Sequence, residues 1–366
     1  MALLLSALSL LALAFITWLT VDGLLAIRRR RRAEQARRPR RLRVAARSEV
    51  AGDLLCLTLV DPDGRPLPAF AAGQHLLLSA PAGRQGKTIQ RAYSLAAWQS
   101  APAAYELGIK REPQGAMSQW LWLNLKLGTL VEASLPQGDF VLDGGAEPLV
   151  LIGGGIGITP MRAMLHAALA ADRPVHLFHL ARSAGSLLYR EEFVALAAAH
   201  PDFRYHPQLS QPDGEWAGAR GRIDAAQIVA TLAEASRCQF YLCAGNPVMD
   251  ALADGLAALG VDHGRIHREA FGAANSTGAS GLNVTVDGAG GQKTMITAGE
   301  PTLLAALEAN GVELPSECRA GSCGQCVARL TSGEVDWLLT PEHAVDEGHI
   351  LPCVCSPRSD LALIVP

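Results

Sequence analysis

Cys318-Arg-Ala-Gly-Ser-Cys323-Gly-Gln-Cys326, followed after 26 intervening residues by Cys353, is the stretch on which the rest of the chain turns. The C-x4-C-x2-C spacing with one distant cysteine is a framework that holds a [2Fe–2S] cluster. Three thiolates must come from one tight loop, so the loop needs backbone freedom, and Gly321 and Gly324 supply it beside the slim Ala320 and Ser322. Cys318, Cys323, Cys326 and Cys353 are therefore the expected metal ligands. The competing reading is a zinc site in a redox sensor without turnover. Zinc ribbons pair one C-x2-C with a second or with two histidines, and this spacing is asymmetric.

At 366 residues, 49% apolar and 18% charged, the chain has room for two or three packed domains. Eight cysteines in that length do not make a disulfide scaffold, and an iron–sulfur loop argues for a reducing compartment. The net charge of −3 hides an asymmetry: ten arginines fall within residues 28–43, leaving 22 basic and 33 acidic residues after position 43. A body that acidic is a poor nucleic-acid binder.

Ala2 to Val21 is an uncharged run of 20 residues, followed by Arg28 to Arg32. About 20 apolar residues span a bilayer as a helix, and arginines after the run favour a cytosolic body and anionic headgroups. A cleaved signal peptide carries its charge on the other side. The order predicts one N-terminal transmembrane helix over 1–27, an arginine-rich juxtamembrane segment over 28–43, and a single-pass protein of the cytoplasmic membrane with its catalytic domains in the cytoplasm.

From residue 44 the pattern is β-like: Leu54 to Val60 ends at the turn Asp61-Pro-Asp-Gly64, and His75 to Ser79 follows Ala72-Gly-Gln74. Short strands between Gly/Pro clusters suggest an antiparallel barrel. Arg91-Ala-Tyr93-Ser94 then offers a guanidinium for phosphate, an aromatic face for a planar ring and a hydroxyl for ring nitrogens. Gly115-Ala-Met117-Ser118 opens a helix and could aim N–H groups at a phosphate. Next, the apolar Leu149 to Ile152 runs into Gly153-Gly154-Gly155-Ile-Gly157-Ile-Thr159-Pro160, the strand–glycine loop–helix arrangement that presents a helix start to a pyrophosphate. Strands and helices alternate onward, with helices predicted over 189–199, 225–235 and from Val248, so a parallel doubly wound sheet is expected. Cys243-Ala-Gly245-Asn-Pro247 ends a strand at the carboxyl edge, where ligands bind in such sheets.

Residues 272–280 are small and polar, a tether by composition. A hairpin over Asn283 to Ile296, a helix opened by Thr302 and stopped by Gly311, the cysteine loop and a last strand from Leu361 follow. This terminal part carries four basic and eleven acidic residues, a face suited to a basic protein partner.

In their order, A-G-Q-H, R-x-Y-S, G-x-M-S and GGGIGITP resemble the ferredoxin-NADP⁺ reductase superfamily. With a plant-type ferredoxin at the C-terminus, the chain is similar to phenylacetyl-CoA-epoxidase-type and phthalate-dioxygenase-type reductases. The resemblance implies a multidomain fold: an antiparallel β-barrel flavin domain (44–144), an α/β parallel-sheet NAD(P)H domain (145–271), a linker (272–280) and an α+β β-grasp ferredoxin (281–366). It implies FAD, with FMN the alternative, a [2Fe–2S] cluster, and NADPH or NADH. Arg91 and Ser118, with Gly115 and Met117, would hold flavin phosphates; Tyr93 would lie against the flavin ring and Ser94 near its N5. Gly153, Gly154, Gly155, Gly157, Thr159 and Pro160 would cradle the nucleotide, with Gly245 near its nicotinamide end, and Arg182 would meet a 2′-phosphate. Cys243 would face the nicotinamide, and Glu269 and Phe271 would complete the catalytic set with Ser94. Electrons would leave the cluster for a protein acceptor, expected to be a membrane di-iron desaturase or hydroxylase, with a cytochrome P450 or soluble oxygenase as the alternative.

Overall fold

The computed structural model describes residues 39–366 except 84–85, 87, 114, 213, 272–280, 289–292, 299, 301, 317–318, 320, 322–323, 339–340 and 342, with backbone alone over 293–298. Strands β1 (Arg40–Val50), β2 (Leu54–Val60), β3 (His75–Ala80), β4 (Ile89–Ser94), β5 (Tyr105–Lys110) and β6 (Leu130–Ala133) form one antiparallel sheet in the order β4-β3-β6-β1-β2-β5. The sheet curls on itself. Leu95, just past β4, bridges Leu107 in β5, and the Ala96 amide donates to the Glu106 carbonyl at 2.8 Å. Apolar residues recur every second position because alternate side chains point inward, so Leu55, Leu57 and Leu59 join Leu76, Leu78 and Leu107 in a buried core. Helix α1 (Ala116–Asn124) plugs one end through Met117 and Leu121.

The second sheet is parallel. Strands β7 (Leu149–Gly154), β8 (Val175–Ala181), β9 (Phe203–Leu209), β10 (Ala219–Arg220), β11 (Gln239–Cys243) and β12 (Ile266–Arg268) lie in the order β10-β9-β8-β7-β11-β12. The helices are α2 (Ile158–Ala170), α3 (Arg190–Ala199), α4 (Ala225–Val229) and α5 (Asn246–Ala258). The strand order reverses between β7 and β11, which puts the glycine loop and Cys243 side by side at the carboxyl edge. Helix α4 is shorter than the predicted 225–235. It starts on a capping box between Asp224 and Gln227, and beyond Val229 the Thr231 hydroxyl donates to the Ile228 carbonyl, a local bond that competes with helix continuation.

The third unit is α+β, the layout expected of a β-grasp. Strands β13 (Leu282–Asp287), β14 (Lys293–Ala298), β15 (Ala328–Ser332), β17 (His349–Ile350) and β19 (Leu361–Ile364) form a mixed sheet in the order β14-β13-β19-β15-β17, and β16 (Val335–Trp337) pairs with β18 (Cys355–Pro357). Helix α6 (Leu303–Ala309), capped by the Thr302 hydroxyl, buries Leu303, Leu304 and Leu307 against it.

The expected membrane protein is corrected. Among the described residues no helix is long and apolar enough to cross a membrane, and the segment 1–27 that carried the expectation lies outside them. Part of the supposed basic flank has another role. Arg40, Arg41 and Arg43 belong to β1, paired with β6 and β2 around the buried Leu42 and Val44, so they are strand residues rather than a headgroup arm.

Candidate functional site

The flavin motif lies on β4. Alternation puts Arg91 and Tyr93 on one face and Ser94 on the other. Arg91 is half-buried, with one Nη donating to the Gln90 carbonyl at 2.6 Å. Tyr93 packs against the barrel core, and burial pushes its phenol well above the usual range despite Arg91 nearby. Ser94 is buried, and its Oγ has no hydrogen-bond partner among the described residues. A buried hydroxyl left unpaired is costly, so this atom fits a ligand that brings an acceptor or donor of its own, as a flavin ring does. Gly115 caps α1 and Met117 is buried under it. The Ser118 hydroxyl is engaged within the loop: it accepts from the Glu112 amide at 3.0 Å and donates to the Gly115 carbonyl at 3.1 Å.

The glycine loop is shaped by what surrounds it. Gly153 and Gly154 end β7, Gly155 to Gly157 make one 3-10 turn, and α2 follows. Gly157 has ordinary dihedrals, but a Cβ there would lie 1.9 Å from the Cys243 carbonyl oxygen. Only hydrogen fits. Thr159 is buried, with its hydroxyl donating to the Ile156 carbonyl at 2.9 Å, and Pro160 is buried in the first turn. A Cβ built on Gly108 of β5 would be 2.6 Å from Thr159 Cγ2. The nucleotide loop thus rests directly on a barrel strand.

Cys243 is fully buried at the end of β11; burial first, then the charge of Glu269, raises its thiol well above the usual range, so it is a neutral thiol at pH 7. Glu269 donates its backbone N–H to the Leu242 carbonyl, which holds the segment after β12 alongside β11. Gly245 caps α5 with extended dihedrals. Phe271 is 39% exposed, so part of it faces solvent. Arg182 is exposed just past β8, and its carbonyl accepts from the Gln211 amide at 2.9 Å.

In the third unit Cys318 and Cys323 lie outside the described residues. Cys326 and Cys353 are both 3% exposed and belong to one apolar cluster. Gly321 and Gly324 have φ of 80° and 69°, the left-handed backbone that the cysteine spacing asks for. The loop is tied down on two sides: the His343 amide donates to the Gly321 carbonyl at 2.9 Å, and Arg319 pairs with Glu308 of α6. Cys355 sits in the core; burial, with Cys326 nearby, pushes its thiol up. Two buried thiols, Cys326 on the tightly turned loop and Cys353 from the later segment, are donors of the kind that hold iron and sulfide.

Sequence reasoning missed Arg162, His166 and Glu192. Arg162 is 8% exposed, donates its Nε to both Glu192 oxygens at 3.0 and 2.8 Å, and lies 4.4 Å above the Tyr189 ring. His166, one turn on, meets Glu192 at 2.6 Å. Burial opposes ionisation of Glu192, but His166 and Arg162 outweigh it and hold the carboxyl below its usual range. Tyr189 stands in the left-handed region at φ 62°, a conformation costing about 1–3 kcal/mol for such a residue.

Three family models match the chain: an oxidoreductase FAD-binding domain over 41–142, an oxidoreductase NAD-binding domain over 151–254, and a 2Fe-2S iron-sulfur cluster binding domain over 284–358. The chain is 34% identical over 330 residues to the phenoxybenzoate dioxygenase subunit beta of Ectopseudomonas oleovorans, covering 89% of this chain and 97% of that one. It is 30% identical over 329 residues to the vanillate O-demethylase oxidoreductase of Pseudomonas sp. strain HR199, covering 88% and 98%. The solved structure of phthalate dioxygenase reductase, described as modular for electron transfer from pyridine nucleotides to [2Fe-2S], superposes with a TM-score of 0.64 at 28% identity, covering 89% of this chain and 97% of that one. These proteins are matched almost end to end, the first of the three family models begins at residue 41, and none of these matches lends the membrane anchor support.

Proposed function

Because the chain belongs to the family of oxygenase reductases that join FAD-binding, NAD-binding and [2Fe–2S] domains, we propose specific roles for its residues and a class of acceptor. The chain carries electrons from NAD(P)H through FAD and a [2Fe–2S] cluster to an oxygenase. Bound FAD and cluster supply the conversion of a two-electron donor into single electrons. The residues supply position. Arg91 and the N–H groups from Gly115 to Ser118 hold flavin phosphates, Met117 anchors that helix start in the core, Tyr93 lies along the ring, and Ser94 Oγ meets a ring nitrogen. The turn from Gly153 to Thr159, with Pro160 opening α2, cradles the pyrophosphate. Cys243, Gly245 and Glu269 line the nicotinamide end, Arg182 meets a 2′-phosphate, and Phe271 shields the flavin until the nicotinamide arrives. Cys318, Cys323, Cys326 and Cys353 hold the cluster.

The observation that carries this reading is the contact of Thr159 with Gly108, which brings the nucleotide loop onto the barrel strand that Leu95, next to Ser94, bridges. The acceptor we favour is an oxygenase component acting on an aromatic acid or ether, the chemistry in the relatives' names. The membrane desaturase or hydroxylase rested on the N-terminal segment and is replaced. The test is anaerobic titration of the purified holoprotein with NADH and with NADPH. Bleaching of flavin and cluster bands with either coenzyme, followed by turnover of an added oxygenase component, is expected; a colourless, zinc-containing preparation would overturn it. Comparing Arg182→Ala with the parent in both coenzymes decides which one the site prefers.

A further inference from the structure

We propose that Arg162 is the positioning residue that holds the nucleotide loop in register with the flavin strands. This inference rests on the NAD(P)H-to-flavin reading above. Arg162 is the fifth residue of α2, three residues after Thr159, so it moves with the glycine loop. Its Nη1 crosses to the barrel twice. It donates to Glu106 Oε2 on β5 at 2.8 Å and to the Ala96 carbonyl at 3.2 Å. Ala96 lies two residues past Ser94, and Glu106 two residues before Gly108. One guanidinium therefore ties β5 and the segment just past β4 to the nucleotide domain. Its Nε is fixed by Glu192 from the same domain, and its face by Tyr189.

The surroundings give this pin its importance. On one side of α2 the two domains share an apolar core in which Met161 and Met164 pack with Leu54, Ala72 and Phe140. On the Arg162 side they are separated by a cleft of about 570 Å³, lined by Arg47, Cys56, Glu106, Arg162 and Tyr189 among others. Contact across that side is narrow, through Gly108 against Thr159 and Cys56 against Tyr189, and the bonds of Arg162 add direction to it. The hydrophobic side acts as the pivot and the ion pairs of the buried Arg162 guanidinium set the rotation about it. Planar, forked and always charged, arginine alone can make the carboxylate and carbonyl bonds at once while its Nε is held elsewhere.

The test uses Arg162→Met, Glu106→Gln and Arg162→Lys in the full chain. In the flavin-free protein, hydrogen–deuterium exchange of the Ser94–Ala97 and Gly157–Arg162 segments is expected to rise by about tenfold in Arg162→Met, because the two segments lose their common anchor. In the reconstituted protein, the limiting rate of flavin reduction by NAD(P)H is expected to fall about 10- to 100-fold, with coenzyme affinity changed far less, since a misplacement near 1 Å costs about that much. The absorbance of the flavin–nicotinamide charge-transfer complex should fall in parallel. Glu106→Gln should show a smaller loss of the same kind, and Arg162→Lys a partial rescue relative to Met. If Arg162→Met does not fold, Glu106→Gln decides alone. Lower thermal stability with an unchanged limiting rate and charge-transfer band, in whichever variants fold, would overturn the proposal. Failure of NAD(P)H to reduce the parent protein would instead overturn the functional reading.

Discussion

The two junctions of this molecule are built differently. Barrel and nucleotide domain share one hydrophobic core, in which Leu54, Ala72 and Phe140 pack with Met161, Met164 and Tyr241. The ferredoxin domain keeps its own: among the described residues, every buried member of its core lies within Val284 to Val365. Its described meeting with the nucleotide domain includes Asn246 Nδ2 donating to the Leu338 carbonyl at 3.3 Å, at the start of α5 and close to Cys243. The difference matches the two transfers. Hydride moves as an atom and needs donor and acceptor within about 3–3.5 Å, so its junction is packed and pinned. A single electron crosses a gap without atomic contact, so its junction can be polar and light.

The comparison can be broken at either end. Cys326→Ser should abolish delivery to a protein acceptor while flavin reduction by NAD(P)H stays within about threefold of the parent, since the two cores are separate; stopped-flow spectra at flavin and cluster wavelengths report both. Equal loss of the two steps would mean the junctions are not independent. Gly157→Ala puts a methyl onto the Cys243 carbonyl and should cut flavin reduction by about 100-fold, with the cluster spectrum intact. Leu304→Ala should cost the ferredoxin about 2–5 kcal/mol and lower one of two calorimetric transitions; a single shifted transition would show that the units unfold together. Acid sharpens the packed junction. Because the folded Glu192 carboxyl lies below its usual range, its contribution is present above about pH 4.3 and is lost as pH falls through its folded value. The barrel–nucleotide pair of Glu192→Gln should therefore show a flatter loss of melting temperature below about pH 4.3. Asn246→Ala should be mildest, slowing cluster reduction by no more than about threefold, the effect of one surface hydrogen bond.

Much of this was legible in the residues. The cysteine spacing, the strand–glycine loop–helix unit and the order of motifs announce chemistry through local geometry, because loops around a cluster or a pyrophosphate need particular residue types within a few positions. The strands over 54–60 and 239–243 were legible for a similar reason, as short apolar runs bounded by turns. Helix α4 was overextended because composition over 225–235 favours helix while a single hydroxyl bond at Thr231 interrupts it. The membrane reading failed in its flank: an arginine count cannot tell a headgroup arm from a strand such as β1, in which arginines alternate with buried Leu42 and Val44.

By itself, then, the sequence determined which cofactors the protein is built for, since ligand type and spacing are properties of a short stretch. Tertiary structure alone decided how the parts are joined. Arg162 meets Glu192 and Glu106 across 30 and 56 residues, and the shared core joins Leu54 to Tyr241. No periodicity marks a buried arginine or a core divided between two sheets. Such contacts exist only once the chain has closed on itself, where burying apolar surface and satisfying a buried charge must be solved together.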